Sequence, residues 1–380
     1  MRDLTAYLNN CDNKFQIARN GFYVDKSNLI AFLNSRIDTE KRFVCVSRPR
    51  GFGKTMAADM LQAYYQIGAQ TETLFSDLKI ASHPSFNEHF NKHNVVFINA
   101  LNALVEVGYN ANKMIEQLET AIRNEVVKLN PDLPLPADYS VYEALRAVKA
   151  ATKTGFIFII DEWDGILRDD RLNEQDRADY LEFLRALLKD KEYVALAYMT
   201  GILPIKKNRN PLNMFSEFSM LFPSKMSEFT GFTEPEVQMA CEDQNMDLEK
   251  MKEWYEGYCL NGERVFCPYS VSESISAKKY ASHWPKTGAY QELEDYISMD
   301  FDGLKDKINS MYAGNKVAVN ASSFQNDIFD LRSADEVLTL LVHLGYLGFD
   351  GETSEVFIPT KEVKTQFDSL LSAPALNLKT

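Results

Sequence analysis

Apolar residues in the first half of the chain fall into short dense runs, separated by longer stretches with helical periodicity. Phe43–Val46, His93–Ala100 (HNVVFINA), Gly155–Ile160 (GFIFII) and Tyr193–Met199 (YVALAYM) are the dense runs. GFIFII is apolar at every position after its glycine, whereas a strand with one wet face alternates. The pattern therefore predicts strands covered on both faces, as in a parallel sheet between helical layers. Between the runs lie MAADMLQAYYQI and NANKMIEQLETAIRNEVVKLN, the second stopped by the proline-rich PDLPLPAD. Ser140 with Glu143 has the capping-box spacing, and Val141, Leu145 and Val148 make the inner stripe of the helix it opens. Asp179–Asp190 places Tyr180, Leu184, Leu187 and Leu188 on one face. This alternation of strand and helix from about Phe22 to Gly201 predicts a wound α/β domain.

The character changes after Pro204. Thr233 and Glu236 form another capping box, with Pro235 in the first turn, and predict helix through Tyr258. From Glu228 to Glu256 nine acidic residues face two basic ones, the composition of a solvated acidic lid. Ser333 with Glu336 opens a helix containing Leu338, Leu341 and Leu344; YLGF, the turn Asp350-Gly351 and VFI predict a hairpin; Lys361–Leu371 predicts a last helix. Helix, hairpin and helix resemble a winged-helix-like module. The expected organisation is a core over residues 1–225, a helical lid over 226–275 and a C-terminal α+β module over 276–380.

Composition narrows the class. With 380 residues, 45% hydrophobic and 25% charged, the chain is not disordered. Its 41 basic and 54 acidic residues leave a net charge of −13, which argues against a surface built mainly to grip nucleic acid. Five cysteines (Cys11, Cys45, Cys241, Cys259 and Cys267) include no C-x-x-C pair and read as free thiols of a reducing compartment. No signal-peptide core opens the chain and no apolar run approaches 18 residues, so a cytoplasmic protein without a membrane span is expected.

The sharpest chemical signal is Gly51-Phe52-Gly53-Lys54-Thr55, between the first predicted strand and a helix. A triphosphate needs closely approaching donors; glycines let the backbone curl around it, and the helix offers its positive N-terminus. Lys54 would reach the β- and γ-phosphates and the Thr55 hydroxyl would ligate Mg²⁺. The full phosphate-loop pattern has glycine where this chain has Arg48, followed by Pro49 and Arg50. Further on, GFIFII runs into Asp161-Glu162, which puts two carboxylates at the C-terminal edge of the sheet. There Asp161 would hold Mg²⁺ through water, and Glu162 would orient and deprotonate an attacking water. Thr200 ends YVALAYM at the same edge; it would bond the γ-phosphate or the water as a sensor, or is present simply as a β-prone residue.

In order, Phe22–Lys26 (FYVDK), Arg48–Thr55 (RPRGFGKT), Ile160–Asp164 (IDEWD), Thr200–Leu203 (TGIL), Gly231–Glu234 (GFTE) and Trp254–Tyr258 (WYEGY) resemble the bacterial AAA-ATPase-like family. The resemblance implies a P-loop NTPase fold of the class with an added catalytic glutamate, a three-layer parallel-sheet core, and ATP and Mg²⁺ as ligands. It implies nucleotide binding by Arg48, Pro49, Arg50, Gly51, Phe52, Gly53, Lys54, Thr55 and Met56 together with Asp161. It also implies Mg²⁺ at Thr55 and Asp161, and catalysis by Lys54, Glu162 and Thr200. Phe22–Lys26 is a candidate for the adenine side, or a structural lead-in. Family members often carry a PD-(D/E)xK nuclease-like domain after the ATPase, and only about twenty residues follow Pro359 here.

Three functions fit these observations: an ATP hydrolase that moves its lid and C-terminal module, a slowly turning ATP-gated switch acting on a protein partner, and a nucleic-acid-processing ATPase working with a nuclease. The acid pair favours turnover, the charge disfavours nucleic acid, and no N-K-x-D element suggests guanine. Neither the partner nor the oligomeric state is specified by the sequence. His83, Glu88, His89 and His93 raise a weak zinc candidate against a solvated helix end, and Lys206, Lys207 and Arg209 an arginine-finger-like cluster against ordinary surface charge. Trp254, Tyr255 and Tyr258 read as core anchors on one helix.

Overall fold

The computed structural model describes residues 7–9, 13–206, 211–260, 262–284 and 289–372. The chain forms two compact units. The first comprises residues 1–46, 54–201 and 209–217; the second comprises 47–53, 202–208 and 218–380. The chain thus crosses from the second unit to the first at the Gly53–Lys54 peptide bond.

The sheet contains β1 (Phe43–Ser47), β2 (Asn94–Asn99), β3 (Phe156–Asp161), β4 (Val194–Gly201) and β5 (Ser216–Phe218), in the order β2-β3-β4-β1-β5. The dense apolar runs are these strands, and every residue of β1, β3 and β4 is buried. The β2/β3 and β3/β4 pairs are parallel. Helices Lys54–Tyr65, Ala111–Leu129, Val141–Thr152 and Glu174–Leu188 connect and cover the strands. The Ser140/Glu143 box forms: the Glu143 carboxylate accepts from the Ser140 amide at 2.9 Å, and the Ser140 hydroxyl accepts from the Glu143 amide at 3.3 Å. Strand order and strand-loop-helix connection fit an α/β P-loop core, with β4 between β1 and β3.

Register brings the strand ends together. Asn99 is the Cα partner of Asp161, and Asp161 of Thr200. Three polar residues on three neighbouring strands therefore stand side by side at one edge of an otherwise apolar sheet.

The second unit surrounds a separate core whose centre is helix Ala334–Leu344, with Val337, Leu338, Leu340, Leu341 and Val342 fully buried. The hairpin predicted after it is present as β10 (Gly348–Asp350) paired with β11 (Glu355–Phe357), and β9 (Val317–Ala318) adds a third strand beside β11. Helix Lys361–Ser372 follows. The stretch expected to be a lid holds helices Glu234–Gln244 and Leu248–Tyr255 and a small sheet of β6 (Phe232–Thr233), β7 (Glu256–Leu260) and β8 (Glu263–Phe266), in the order β6-β8-β7. Its acidic surplus has a structural counterpart: Glu234, Glu249, Glu253 and Glu256 line a cavity of about 510 Å³ with Lys252 and Arg264.

One element was misread from sequence. Helix stops at Tyr255, and Tyr258 lies on β7, although it is the buried anchor expected. Gly257 makes that strand possible, because a Cβ there would sit 1.7 Å from the Pro359 carbonyl oxygen. Glu362 fastens this unit from within. Its buried carboxylate accepts from the Ser270 hydroxyl at 2.6 Å and from the His283 and Trp284 amides at 2.5 and 2.8 Å. Burial raises its pKa, and these donors oppose the rise. Cys45, Cys241, Cys259 and Cys267 are free thiols; Cys11 lies outside the described residues. Among the described residues no helix is long and apolar enough to cross a membrane.

Candidate functional site

The loop after β1 needs its glycines. Gly51 and Gly53 have φ of +80° and +81°, a region that other residues enter only at a cost of about 1–2 kcal/mol. At Gly51 there is no room either, since a Cβ would lie 2.9 Å from the Tyr269 Cβ and 3.1 Å from the Cys267 Sγ. The Gly51 carbonyl accepts from the Tyr269 amide at 3.1 Å. Burial pushes the Cys267 thiol up to about 11, so it stays protonated and can donate to the same oxygen, 3.7 Å away.

Arg48 explains how the loop dispenses with a glycine at that position. Its guanidinium is fully buried; Nε donates to the Thr230 hydroxyl at 2.9 Å, and Nη1 donates to the Ser47 and Phe218 carbonyls at 2.9 and 2.8 Å. A flexible hinge is thus replaced by an arginine whose Nε and Nη1 anchor the loop. Phe52 is buried edge-on against Tyr258, with ring centroids 5.2 Å apart, and Pro49 is buried beneath Gly345. Arg50, Thr55 and Met56 are exposed.

In the first unit, Lys54 and Thr55 open helix Lys54–Tyr65 opposite the acids. The Thr55 hydroxyl donates to Asp161 Oδ2 at 2.9 Å, and the Asn99 side-chain amide donates to the same oxygen at 3.2 Å. Asp161 is fully buried, yet its Oδ1 has no hydrogen-bond partner among the described residues. Burial raises its pKa; the Thr55 hydroxyl and Lys54 oppose the rise, and the Glu162 charge adds to it. Lys54 is also buried, which lowers its pKa against the pull of Glu162, Asp164 and Asp161.

Glu162 adopts a left-handed conformation, φ 54°, immediately past the strand. The turn is fixed by the Trp163 amide donating to the Thr200 carbonyl at 3.2 Å and the Gly165 amide donating to the Glu162 carbonyl at 2.9 Å. Gly201 lets the buried Trp163 and Asp164 side chains close against β4: a Cβ there would lie 2.4 Å from Asp164 Oδ1 and 2.8 Å from the indole nitrogen. The Thr200 hydroxyl donates to the Val46 carbonyl at 3.2 Å, tying β4 to the end of β1; its lone pairs are what it retains for a ligand.

The site contains residues the sequence reading did not select, namely Asn99, Asp164, Arg168 and Gly201. Asn99 had a legible signal, a polar residue closing an apolar strand like Asp161 and Thr200. The i,i+4 spacing of Asp164 and Arg168 was another.

A model of the AAA-ATPase-like family, described as a predicted AAA-ATPase, matches residues 13–209, more than half of the chain. The chain belongs to this AAA-ATPase-like family. The uncharacterized protein in the vnfD 5′ region of Azotobacter chroococcum mcd 1 is 24% identical over 285 residues, which are 73% of this chain and 52% of that protein. The chain thus spans about half the length of that relative. Among solved structures, the Walker-type ATPase PABY2304 of Pyrococcus abyssi is similar at 12% identity, covering 94% of this chain and 96% of that one with a TM-score of 0.45. The ORC2 protein of Aeropyrum pernix, solved with ADPNP and ADP, is similar at 12% identity, covering 95% and 99% with a TM-score of 0.37.

The remaining candidates sit elsewhere in this AAA-ATPase-like chain. Tyr23 packs edge-on against Phe15 and donates to the Met60 sulfur at 3.6 Å, while Asp25 accepts from the Lys79 and Ser27 amides at 2.7 and 2.8 Å. Tyr23 and Asp25 thereby tie the Phe22–Lys26 segment into the first unit. His89 and His93 are hydrogen-bonded to each other at 3.0 Å with stacked rings, and His93 is buried rather than on a solvated helix end. Burial first, then the neighbouring His89, lowers the His93 pKa to about 4. No group of three or more metal-ligating side chains occurs among the described residues. Lys206 pairs with Asp327 at 2.5 Å; Lys207 and Arg209 lie outside the described residues.

Proposed function

We propose that the chain binds ATP with Mg²⁺ and hydrolyses it, as an ATPase of the class with an added catalytic glutamate. The observation that carries this reading is the buried Asp161 carboxylate. One oxygen is held by Thr55 and Asn99, while the other has no protein donor, beside a buried lysine that opens a helix. A buried carboxylate oxygen without a partner is costly unless something supplies the missing contacts. A hydrated Mg²⁺ fits that position, because it keeps several waters and binds through one carboxylate together with phosphate oxygens.

In this reading the glycine loop cradles the phosphates and Lys54 meets the β- and γ-oxygens. Thr55 and Asp161 hold the metal, which when bound neutralises charge on the phosphate oxygens. Asn99 fixes the Asp161 carboxylate. Glu162 takes a proton from water as the water oxygen bonds to the γ-phosphorus and the bond to ADP breaks. Thr200 anchors β4 to β1 and offers its lone pairs toward the nucleotide as a sensor. Hydrolysis would in turn move the lid and the winged-helix-like module and so act on a protein partner.

The test is phosphate release from ATP. Turnover is expected with Mg²⁺ and abolished by chelation with EDTA. Metal-independent turnover, or none at saturating Mg²⁺ and ATP, counts against the reading.

A further inference from the structure

The turn after β3 holds a cation for which the proposed hydrolysis has no role. Arg168 ends the short helix Gly165–Arg168. Its Nε donates to Asp164 Oδ2 at 2.8 Å, and its Nη2 lies 3.7 Å from Glu162 Oε2. The Asp164 side chain is 0% exposed and Arg168 12%, whereas Glu162 keeps 30%. We infer that Arg168, seated by Asp164, is the positioning residue for Glu162, holding its carboxylate where it must take a proton from the attacking water. This inference rests on the proposed role of Glu162 as the base.

Three features separate this from an ordinary helical ion pair. First, the pair is not on the surface, where an i,i+4 contact contributes little. Asp164 is buried, closed in by Trp163 and Gly201, and gives the Arg168 guanidinium a fixed seat. Second, its contacts differ in kind. The bond to Asp164 has hydrogen-bond length, whereas 3.7 Å to Glu162 is ion-pair distance beyond hydrogen-bond reach. Arg168 is locked on one side and attracts on the other, so Glu162 is steered without being captured. Third, Glu162 needs such guidance: its backbone is in a strained left-handed turn and its side chain is partly in solvent. Among the described residues Lys54 and Asp161 also interact with the Glu162 charge, so Arg168 and Lys54 both act on the carboxylate as cations.

Arg168→Gln is the working substitution, since its amide can still donate to buried Asp164; Arg168→Lys keeps the charge. Steady-state ATP turnover, nucleotide affinity and thermal melting are measured for both, in the parent and in the Glu162→Gln background. In the parent, Arg168→Gln is expected to lower kcat by about 10–100-fold, the scale of a roughly 1 Å misplacement, with KM and nucleotide affinity within about threefold. Arg168→Lys should recover most of that loss. In the Glu162→Gln background Arg168→Gln should change the residual rate less than about twofold, because the residue it positions is gone. An unchanged kcat, a loss confined to KM, or an equal loss with Glu162 already replaced would overturn the assignment. If Arg168→Gln fails to melt cooperatively, Arg168→Lys decides by the same comparison: any loss must vanish in the Glu162→Gln background, and an equal loss there overturns the assignment. A parent whose turnover does not depend on Glu162 contradicts the proposed function and this assignment with it. Glu162-dependent turnover indifferent to Arg168 overturns this assignment alone.

Discussion

Replacing Glu162 by glutamine is expected to leave ATP binding in place and to lower phosphate release by about 10²–10⁴-fold, the usual contribution of a general base. Glutamine keeps the size of the side chain and its place in the turn after β3, so the contacts made by the Trp163 and Gly165 amides persist. What it loses is the capacity to accept a proton and the charge facing Lys54 and Arg168. Affinity should hold or rise, because one negative charge disappears beside a polyanion. Equilibrium binding of a fluorescent ATP analogue, run beside a single-turnover assay, separates the two effects. Unchanged turnover removes Glu162 from the chemistry. Lost binding shows instead that the turn, and not the carboxylate, was what mattered.

Lys54→Ala is expected to act at the other step. Lys54 is the buried cation that opens the helix, facing Asp161, Glu162 and Asp164. A hydrogen bond between charged groups contributes about 1.5–3 kcal/mol, so its removal should weaken ATP binding by roughly 10–150-fold. The substitution also leaves three neighbouring carboxylates with Arg168 as their remaining named cation, which adds repulsion against the phosphates. Stability should change little by comparison: desolvation already disfavours the charged lysine in the fold, so its loss offsets part of the packing it gave up. Calorimetric titration with ATP and Mg²⁺ measures the affinity. Equal affinity in the variant would place the phosphates elsewhere.

Much of this arrangement was legible in the chain. β3 could be read because burial on both faces makes every position apolar, and its end because Asp161 breaks the run abruptly. Lys54 and Thr55 were legible because glycines with positive φ have few substitutes. Other features depend on proximity that spacing does not encode. Tyr258 looked helical because WYEGY follows an amphipathic helix, and only the approach of the Pro359 carbonyl shows why position 257 has no room for a side chain. Arg48 looked like a loop residue near phosphate, and its bonds to Thr230 and Phe218, which lie far along the sequence, could not be read from spacing. Gly201 belongs to the site through a close approach to Asp164 that is invisible until register is known, whereas the spacing of Asp164 and Arg168 was legible.

The central claim is that Lys54, Thr55 and Asp161 converge on one metal-bound polyphosphate. A crystal structure with Mg²⁺ and a non-hydrolysable ATP analogue tests it most directly. The expected density has the β- and γ-phosphates at the Lys54 ammonium, and a metal bound by the Thr55 hydroxyl and reached by Asp161 Oδ1 through water. Nucleotide bound away from Lys54, or a metal out of reach of Asp161, would contradict the account.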